Sequence, residues 1–97
     1  MIKIIIKDDL IKISGHAKFD DYGKDIVCAS VSSIIYTTVN GIFNIDKNAI
    51  IFKDKENIEI KIKNRSKVVD ILISNMITLL EELSTQYPKN ITIDKGE

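Results

Sequence analysis

The chain contains one histidine and one cysteine, and this pair offers the most definite chemistry in the sequence. His16 lies twelve positions before Cys28. An imidazole beside a thiol can take the thiol proton and later protonate a leaving amine. These two groups are the minimal parts of a cysteine hydrolase, provided that the fold brings them together.

Cys28 is predicted to lie just inside the N-terminus of a helix. Asp25 is a good N-cap, so the helix should begin at Ile26. Unpaired amides and the positive end of the helix dipole favour the thiolate there, and the same amides could form an oxyanion hole. Ser32 lies one helical turn beyond Cys28 on the same face, where its hydroxyl could hydrogen-bond near the thiolate.

Each of these residues also has a simpler interpretation. A single cysteine among apolar neighbours is usually a small buried hydrophobe, a histidine in Gly-His-Ala is usually a surface residue, and Asp25 is most simply a cap. One histidine and one cysteine leave a zinc site two ligands short, so neither a metal nor a cofactor is expected. The spacing leaves three classes open: a cysteine hydrolase, a non-catalytic binding module and a small-ligand regulatory domain.

The elements that must position these residues follow the order ββαββαβ. Isoleucine alternates with polar residues in two predicted hairpins, and a short strand ends the chain. The predicted strands span residues 2–7, 10–13, 49–53, 58–63 and 91–93. The first helix should begin after the N-cap Asp25 and end at Gly41, followed by a loop over 42–48, although its β-branched residues leave a strand as the alternative. The second helix should begin after Ser66 and end before Pro88.

Strands paired by short turns favour an antiparallel or mixed sheet with two packed helices, an α+β fold. With 97 residues the chain should form a single domain over 1–97. Fourteen basic and fourteen acidic residues give a net charge of zero, which argues against a nucleic-acid module.

The cysteine content and the distribution of apolar residues indicate the cellular compartment of the protein. A single cysteine excludes an internally disulfide-bonded secreted scaffold. Lysines interrupt the N-terminal isoleucines, so no signal peptide is predicted, and no stretch is expected to reach the roughly 20 apolar residues that span a bilayer. These features predict a cytoplasmic protein without a membrane partner.

The second predicted helix has a wide apolar surface. At about 100° per residue, the apolar positions from Val68 to Ile77 cover roughly half of its circumference. A single sheet face needs a stripe of only about 100°. Either the helix is deeply buried or it has a second contact surface, and the second explanation predicts a homodimer.

One segment resembles a known family signature. Gly15-His16-Ala17 is followed, after a short loop, by Gly23-Lys24-Asp25-Ile26-Val27-Cys28-Ala29-Ser30-Val31-Ser32, and this order closely resembles the signature of the ribosomal-processing cysteine protease family, Prp. The resemblance extends over essentially the whole chain in length and element order. It implies a homodimeric cysteine endopeptidase that removes a short N-terminal extension from large-subunit ribosomal protein twenty-seven, cleaving after a phenylalanine.

The resemblance also assigns roles by position. It makes Cys28 the nucleophile and His16 the general base, and it places Asp25 and Ser32 at further motif positions. An N-cap carboxylate should bond to the amides of its own helix, which would leave a dyad without a third member. Ser30 stands where family members often carry alanine, a conservative change that does not predict loss of activity.

The loop between the two motif segments, residues 17–24, joins the predicted base to the predicted nucleophile. It contains Gly23 and offers Phe19 and Tyr22 as apolar contacts for a substrate side chain. We expect this loop to be mobile without peptide and to close over bound peptide, where it would exclude water from the thioester.

Overall fold

Strands and helices follow one another in the predicted ββαββαβ order in the computed structural model of the chain, which describes residues 1–21 and 24–96. The elements are β1 (Ile2–Lys7), β2 (Leu10–Ser14), α1 (Ile26–Ile45), β3 (Ile50–Asp54), β4 (Ile58–Ile62), α2 (Lys67–Gln86) and β5 (Ile91–Asp94). The α+β prediction is therefore confirmed.

The five strands form one mixed sheet in the order β3-β4-β2-β1-β5. All neighbouring pairs are antiparallel except β1 and β5, which are parallel. Ile4 lies opposite Ile13 on one side and Ile93 on the other, so the alternating isoleucines are collected on one face of the sheet. That face is buried under the two helices, whereas Ile5 and Ile51 on the other face are exposed.

Helix α1 is longer than predicted and includes Gly41, so the expected helix end there and the expected loop over 42–48 are wrong. Val39 and Ile42 continue the buried stripe on either side of Gly41. A glycine inside a helix costs roughly 0.5–1 kcal/mol relative to alanine, whereas burying one isoleucine contributes about 1.5–3 kcal/mol. Burial therefore outweighs the glycine penalty, and the helix ends only at Ile45, with Asp46 as its C-cap.

Helix α1 also corrects the expectation about apolar length. Its residues Ile26–Ile45 are long and apolar enough, by length and composition alone, to cross a membrane. The apolar stripe of the helix, which includes Val27, Val31 and Ile35, is buried in the core of the fold. A core helix packed on a sheet explains the same composition.

Helix α2 begins where the sequence predicts, after the N-cap Ser66, whose side chain accepts a hydrogen bond from the Val69 N–H. Its buried residues lie one or two turns apart on one stripe: Val69, Ile73, Met76 and Leu80. Beside this stripe, Val68 is 49% exposed and Ile71 is 56% exposed. The wide apolar surface is therefore only partly covered within the chain, and the homodimer stays a prediction.

Candidate active site

Cys28 is the third residue of α1, and its side chain lies against the residue that follows His16. The Ala17 N–H donates a hydrogen bond to Cys28 Sγ at 3.3 Å. Cys28 is half-buried, and His16 is exposed just beyond the end of β2. The end of β2 and the start of α1 therefore lie side by side, as the cysteine hydrolase hypothesis requires.

The turn that leads to His16 depends on glycine. Gly15 has a φ of +83°, in the left-handed region, and a Cβ at this position would collide with the carbonyl oxygen of Met1. Any other residue would have to move the first strand or the turn. The backbone conformation of Gly15 thus sets where the chain leaves β2 and where His16 begins the loop.

A surface cavity of about 580 Å³ joins the candidate residues. Its volume is within the range of about 300–1,000 Å³ typical of ligand sites. The lining includes all four residues singled out by motif position together with two residues of the loop: His16, Asp25, Cys28, Ser32, Lys18 and Asp20. Neither Lys18 nor Asp20 was assigned a role in the site from the sequence.

Asp25 joins the start of α1 to the loop. Its Oδ1 accepts hydrogen bonds from the Val27 and Cys28 N–H groups, both at 3.0 Å. Its Oδ2 accepts from the Phe19 N–H at 3.0 Å and from the Asp20 N–H at 3.4 Å. These donors, led by the Cys28 amide, lower the pKa of Asp25 against a smaller opposing effect of desolvation. The expectation that this carboxylate bonds to the amides of its own helix is confirmed.

The same contacts overturn the prediction of an oxyanion hole at the helix start. The Val27 and Cys28 N–H groups are bonded to Asp25 Oδ1, and the Ala29 N–H donates to the Asp25 carbonyl at 3.1 Å. An aspartate cap accepts hydrogen bonds from amides of the first turn, so these three N–H groups are already engaged. The sequence suggested both functions for these amides, although one N–H cannot serve both well.

Two serines of α1 differ in their surroundings. Ser32 is exposed and lines the cavity one turn beyond Cys28, and within the described part of the chain no hydrogen bond joins the two side chains. Ser30 donates from its hydroxyl to the Ile26 carbonyl of its own helix at 2.7 Å. The serine that departs from the family pattern is therefore engaged with the helix backbone.

Besides Asp25, residues of the connection between α2 and β5 also contact the loop over residues 17–24. The Phe19 ring packs edge-on against Tyr87, with ring centroids 5.3 Å apart. The Asn90 Nδ2 donates to the Ala17 carbonyl at 2.9 Å, and Ala17 is buried. Tyr87 and Asn90 were not expected from the sequence, because neither belongs to a motif and both are about 70 residues from the loop.

These contacts bear on the predicted motion of the loop. Opening the whole segment would have to break the Phe19–Tyr87 packing and the hydrogen bonds of Ala17 and Phe19. Tyr22 and Gly23, which were also predicted to belong to the substrate loop, lie outside the described residues. Closure of the loop over peptide stays a prediction.

Comparison with known proteins agrees with the motif resemblance. The sequence model of the family described as "Cysteine protease Prp" matches residues 1–92. This chain belongs to the cysteine protease Prp family. It is accordingly a peptide hydrolase that uses a cysteine, which removes the non-catalytic alternatives left open by spacing alone.

Individual members of the Prp family match over most of their length. The chain is 32% identical over 98 residues to the ribosomal processing cysteine protease Prp of Mycoplasma genitalium, covering 98% of this chain and 96% of that protein. It is 25% identical over 93 residues to the protein of the same name from Bacillus subtilis, covering 84% and 80% respectively.

The fold is also similar to a solved Prp structure. The crystal structure of the essential ribosomal processing protease Prp from S. aureus, in complex with a covalently linked product peptide, superposes with a TM-score of 0.91 at 23% identity. The superposition covers 98% of this chain and 99% of the other. The Prp fold is therefore shared over the whole described chain.

Proposed function

We propose that Cys28 is the nucleophile and His16 the general base of this protease. The observation that carries the proposal is that the only cysteine and the only histidine of a cysteine protease line the same cavity. The Ala17 N–H that donates to Cys28 Sγ belongs to the residue directly after His16, so the backbone holds the two positions together. Asp25 is engaged with backbone amides, which supports a dyad instead of a triad.

The proposed reaction proceeds through a thioester. His16 accepts the Cys28 proton while Sγ attacks the carbonyl carbon of the scissile bond, which gives a tetrahedral intermediate with a negative oxygen. The intermediate collapses, the C–N bond breaks, and the imidazolium protonates the departing amine. A water molecule, deprotonated by His16, then attacks the thioester, releases the carboxylate product and returns the thiol.

For the substrate we propose the N-terminal extension of large-subunit ribosomal protein twenty-seven, cleaved after a phenylalanine. Support comes from the relatives in M. genitalium and B. subtilis, which are named ribosomal processing proteases, and from the S. aureus Prp structure in complex with a substrate peptide. Phe19 lies between the cavity-lining residues Lys18 and Asp20 and is 45% exposed, so its ring is available to an apolar peptide side chain.

Removal of such an extension would place the enzyme in ribosome biogenesis in the cytoplasm, with a protein precursor as its partner. The net charge of zero supports recognition of protein instead of direct binding to nucleic acid. We also propose a homodimer, because α2 leaves Val68, Ile71 and Leu79 exposed beside its buried stripe.

A synthetic peptide that carries the extension and the first mature residues tests this proposal. Two products divided after the phenylalanine are expected by mass spectrometry, and the Cys28→Ala variant should give none. A peptide with alanine in place of that phenylalanine should resist cleavage. The matched control is Ser30→Ala, on the same helix, which should cleave as the unaltered protein does. Cleavage at another bond, or cleavage by Cys28→Ala, would refute the assignment.

A further inference from the structure

Acyl transfer needs a hydrogen-bond donor for the negative oxygen of its tetrahedral intermediate, and removing one such donor typically lowers kcat by about 10²–10³-fold. At the start of α1 the candidate amides of Val27, Cys28 and Ala29 are already bonded to Asp25. Ile26, the first residue of α1, lines a different surface depression and not this cavity, so we expect the donor to come from another element that borders the cavity.

The peptide unit between Ala17 and Lys18 is held by Asn90. The Asn90 Nδ2 donates to the Ala17 carbonyl at 2.9 Å. Because the acceptor is a carbonyl oxygen, only the NH₂ of the side-chain amide can make this bond, which fixes the orientation of Asn90. The backbone of Asn90 is itself fixed, since its N–H donates to the Tyr87 carbonyl at 3.0 Å and its carbonyl accepts from the Ile2 N–H at 2.8 Å.

This restraint determines the direction of the Lys18 N–H. The Ala17–Lys18 peptide bond is trans, so its N–H points opposite to the carbonyl that faces Asn90. Lys18 lines the cavity shared by His16 and Cys28. Within residues 1–21 and 24–96, no hydrogen bond uses the Lys18 N–H.

The Lys18 N–H also lies close to the sulfur along the chain. Three covalent bonds separate the Lys18 nitrogen from the Ala17 nitrogen, whose N–H donates to Cys28 Sγ at 3.3 Å. Lys18 has a φ of 55°, a left-handed conformation that is uncommon for lysine and that tends to occur where a functional site requires a particular backbone direction.

From this geometry we propose that the Lys18 backbone N–H donates to the oxyanion of the tetrahedral intermediate, and that Asn90 is the positioning residue that aims it. The inference rests on the proposed function of Cys28 as nucleophile. Asn90 acts through the Ala17 carbonyl and makes its contribution to the transition state only, so it affects acyl transfer more than peptide binding.

The Asn90→Asp variant tests the proposal. Aspartate keeps the shape of the side chain but replaces the NH₂ donor by a carboxylate oxygen that repels the Ala17 carbonyl. We expect kcat for peptide cleavage to fall at least about tenfold, with KM changed less than about twofold. Alkylation of Cys28 by iodoacetamide should keep its rate, because the thiolate displaces iodide at a saturated carbon and no oxyanion forms.

A matched control comes from a similar bond outside the site. The Asn64 Nδ2 donates to the Asn48 carbonyl at 3.0 Å, so Asn64→Asp removes the same kind of contact elsewhere and should leave kcat unchanged. Asn90→Ala, which loses the donor without adding charge, serves as the second variant, and thermal melting identifies folded protein for both.

Three results would overturn the proposal: an unchanged kcat, a rise in KM alone, or a loss of alkylation rate as large as the loss of kcat. The last would place Asn90 in support of the thiol and not of the oxyanion. Acylation by p-nitrophenyl acetate, which also passes through a tetrahedral oxyanion, gives a readout independent of the ribosomal substrate. If the unaltered protein fails on the peptide but Asn90→Asp slows the ester reaction, only the proposed substrate is wrong.

Discussion

The Asp25 carboxylate accepts a hydrogen bond from the backbone N–H of Cys28 at 3.0 Å. Through its other oxygen it accepts one from the Phe19 N–H, also at 3.0 Å. A single side chain thereby caps the helix that carries Cys28 and holds the loop that follows His16. If Cys28 and His16 form the proposed dyad, Asp25 serves to position both segments and needs no role in proton transfer.

The roles of the two carboxylate oxygens of Asp25 can be tested separately by mutation. An asparagine at this position would be a good N-cap through its remaining oxygen, but its NH₂ group cannot accept from the loop amides of Phe19 and Asp20. Asp25→Asn should therefore nearly retain the melting temperature while lowering peptide cleavage, whereas Asp25→Ala should lower both. Melting curves and cleavage rates for the two variants check this. Equal losses of melting temperature in both variants would show that the cap is not the stabilising contact.

The pH dependence of stability should report the same carboxylate. Backbone donors hold the pKa of Asp25 below its ordinary value of 3.8, so the folded state favours the charged form. This contribution is fully present above pH 3.8 and is lost as the pH falls through that value toward the lower folded pKa. The difference in melting temperature between the unaltered protein and Asp25→Ala, which lacks the carboxylate, should shrink between pH 6 and pH 3. A difference that stays constant over this interval would contradict the prediction.

His16 is exposed, so its side chain should contribute little to the stability of the fold, and its replacement should affect the reaction alone. His16→Ala should therefore keep the melting temperature within a degree or two, lower peptide cleavage by at least about a thousandfold, and slow alkylation of Cys28 near neutral pH. Lys12→Ala, on the neighbouring strand β2, is the control and should retain full activity. Turnover by His16→Ala at the rate of the unaltered protein would exclude a Cys28–His16 dyad.

Local patterns were sufficient to predict most of the fold. Alternating isoleucines identified the strands, and the caps Asp25 and Ser66 identified both helix starts, because each signal lies within a few residues of the element that it specifies. The end of α1 was missed at Gly41, where burial of Ile42 in the tertiary structure outweighs a local preference to stop.

The candidate site was likewise predicted where its signal is local in the sequence and missed where it depends on residues far apart in the chain. The motif resemblance predicted that the chain's single cysteine and single histidine act together, and the structure places both in the lining of one cavity. The Asn90–Ala17 hydrogen bond joins residues 73 positions apart, and nothing near Asn90 in the sequence distinguishes it from a turn residue. The helix amides were assigned to an oxyanion hole because the sequence does not reveal how completely the Asp25 carboxylate occupies them.

The backbone at Lys18 gives a further prediction. A left-handed φ costs an L-residue such as lysine about 1–2 kcal/mol and is still less accessible to a β-branched residue, whereas glycine adopts it freely. Lys18→Gly should keep cleavage, and Lys18→Val should lose unfolding free energy together with most of its activity. Asp8→Val is the matched control, because Asp8 has a φ of 52° in the β1–β2 turn, away from the cavity. It should show a similar loss of stability with kcat unchanged, and an equal loss of kcat would refute a specific role for the Lys18 backbone.

The exposed apolar surface of α2 gives the last prediction. Ile71 is 56% exposed and Val68 is 49% exposed, and both lie outside the buried stripe of the same helix. Burying an isoleucine contributes about 1.5–3 kcal/mol, so a contact that covers both residues in two copies would add several kcal/mol to association. Ile71→Lys should therefore convert a homodimer to a monomer in sedimentation at micromolar concentration. Ile51→Lys, at a similarly exposed isoleucine on the open face of the sheet, should leave the dimer intact. A sedimentation coefficient of a monomer for the unaltered protein would show that this surface does not bind a second copy.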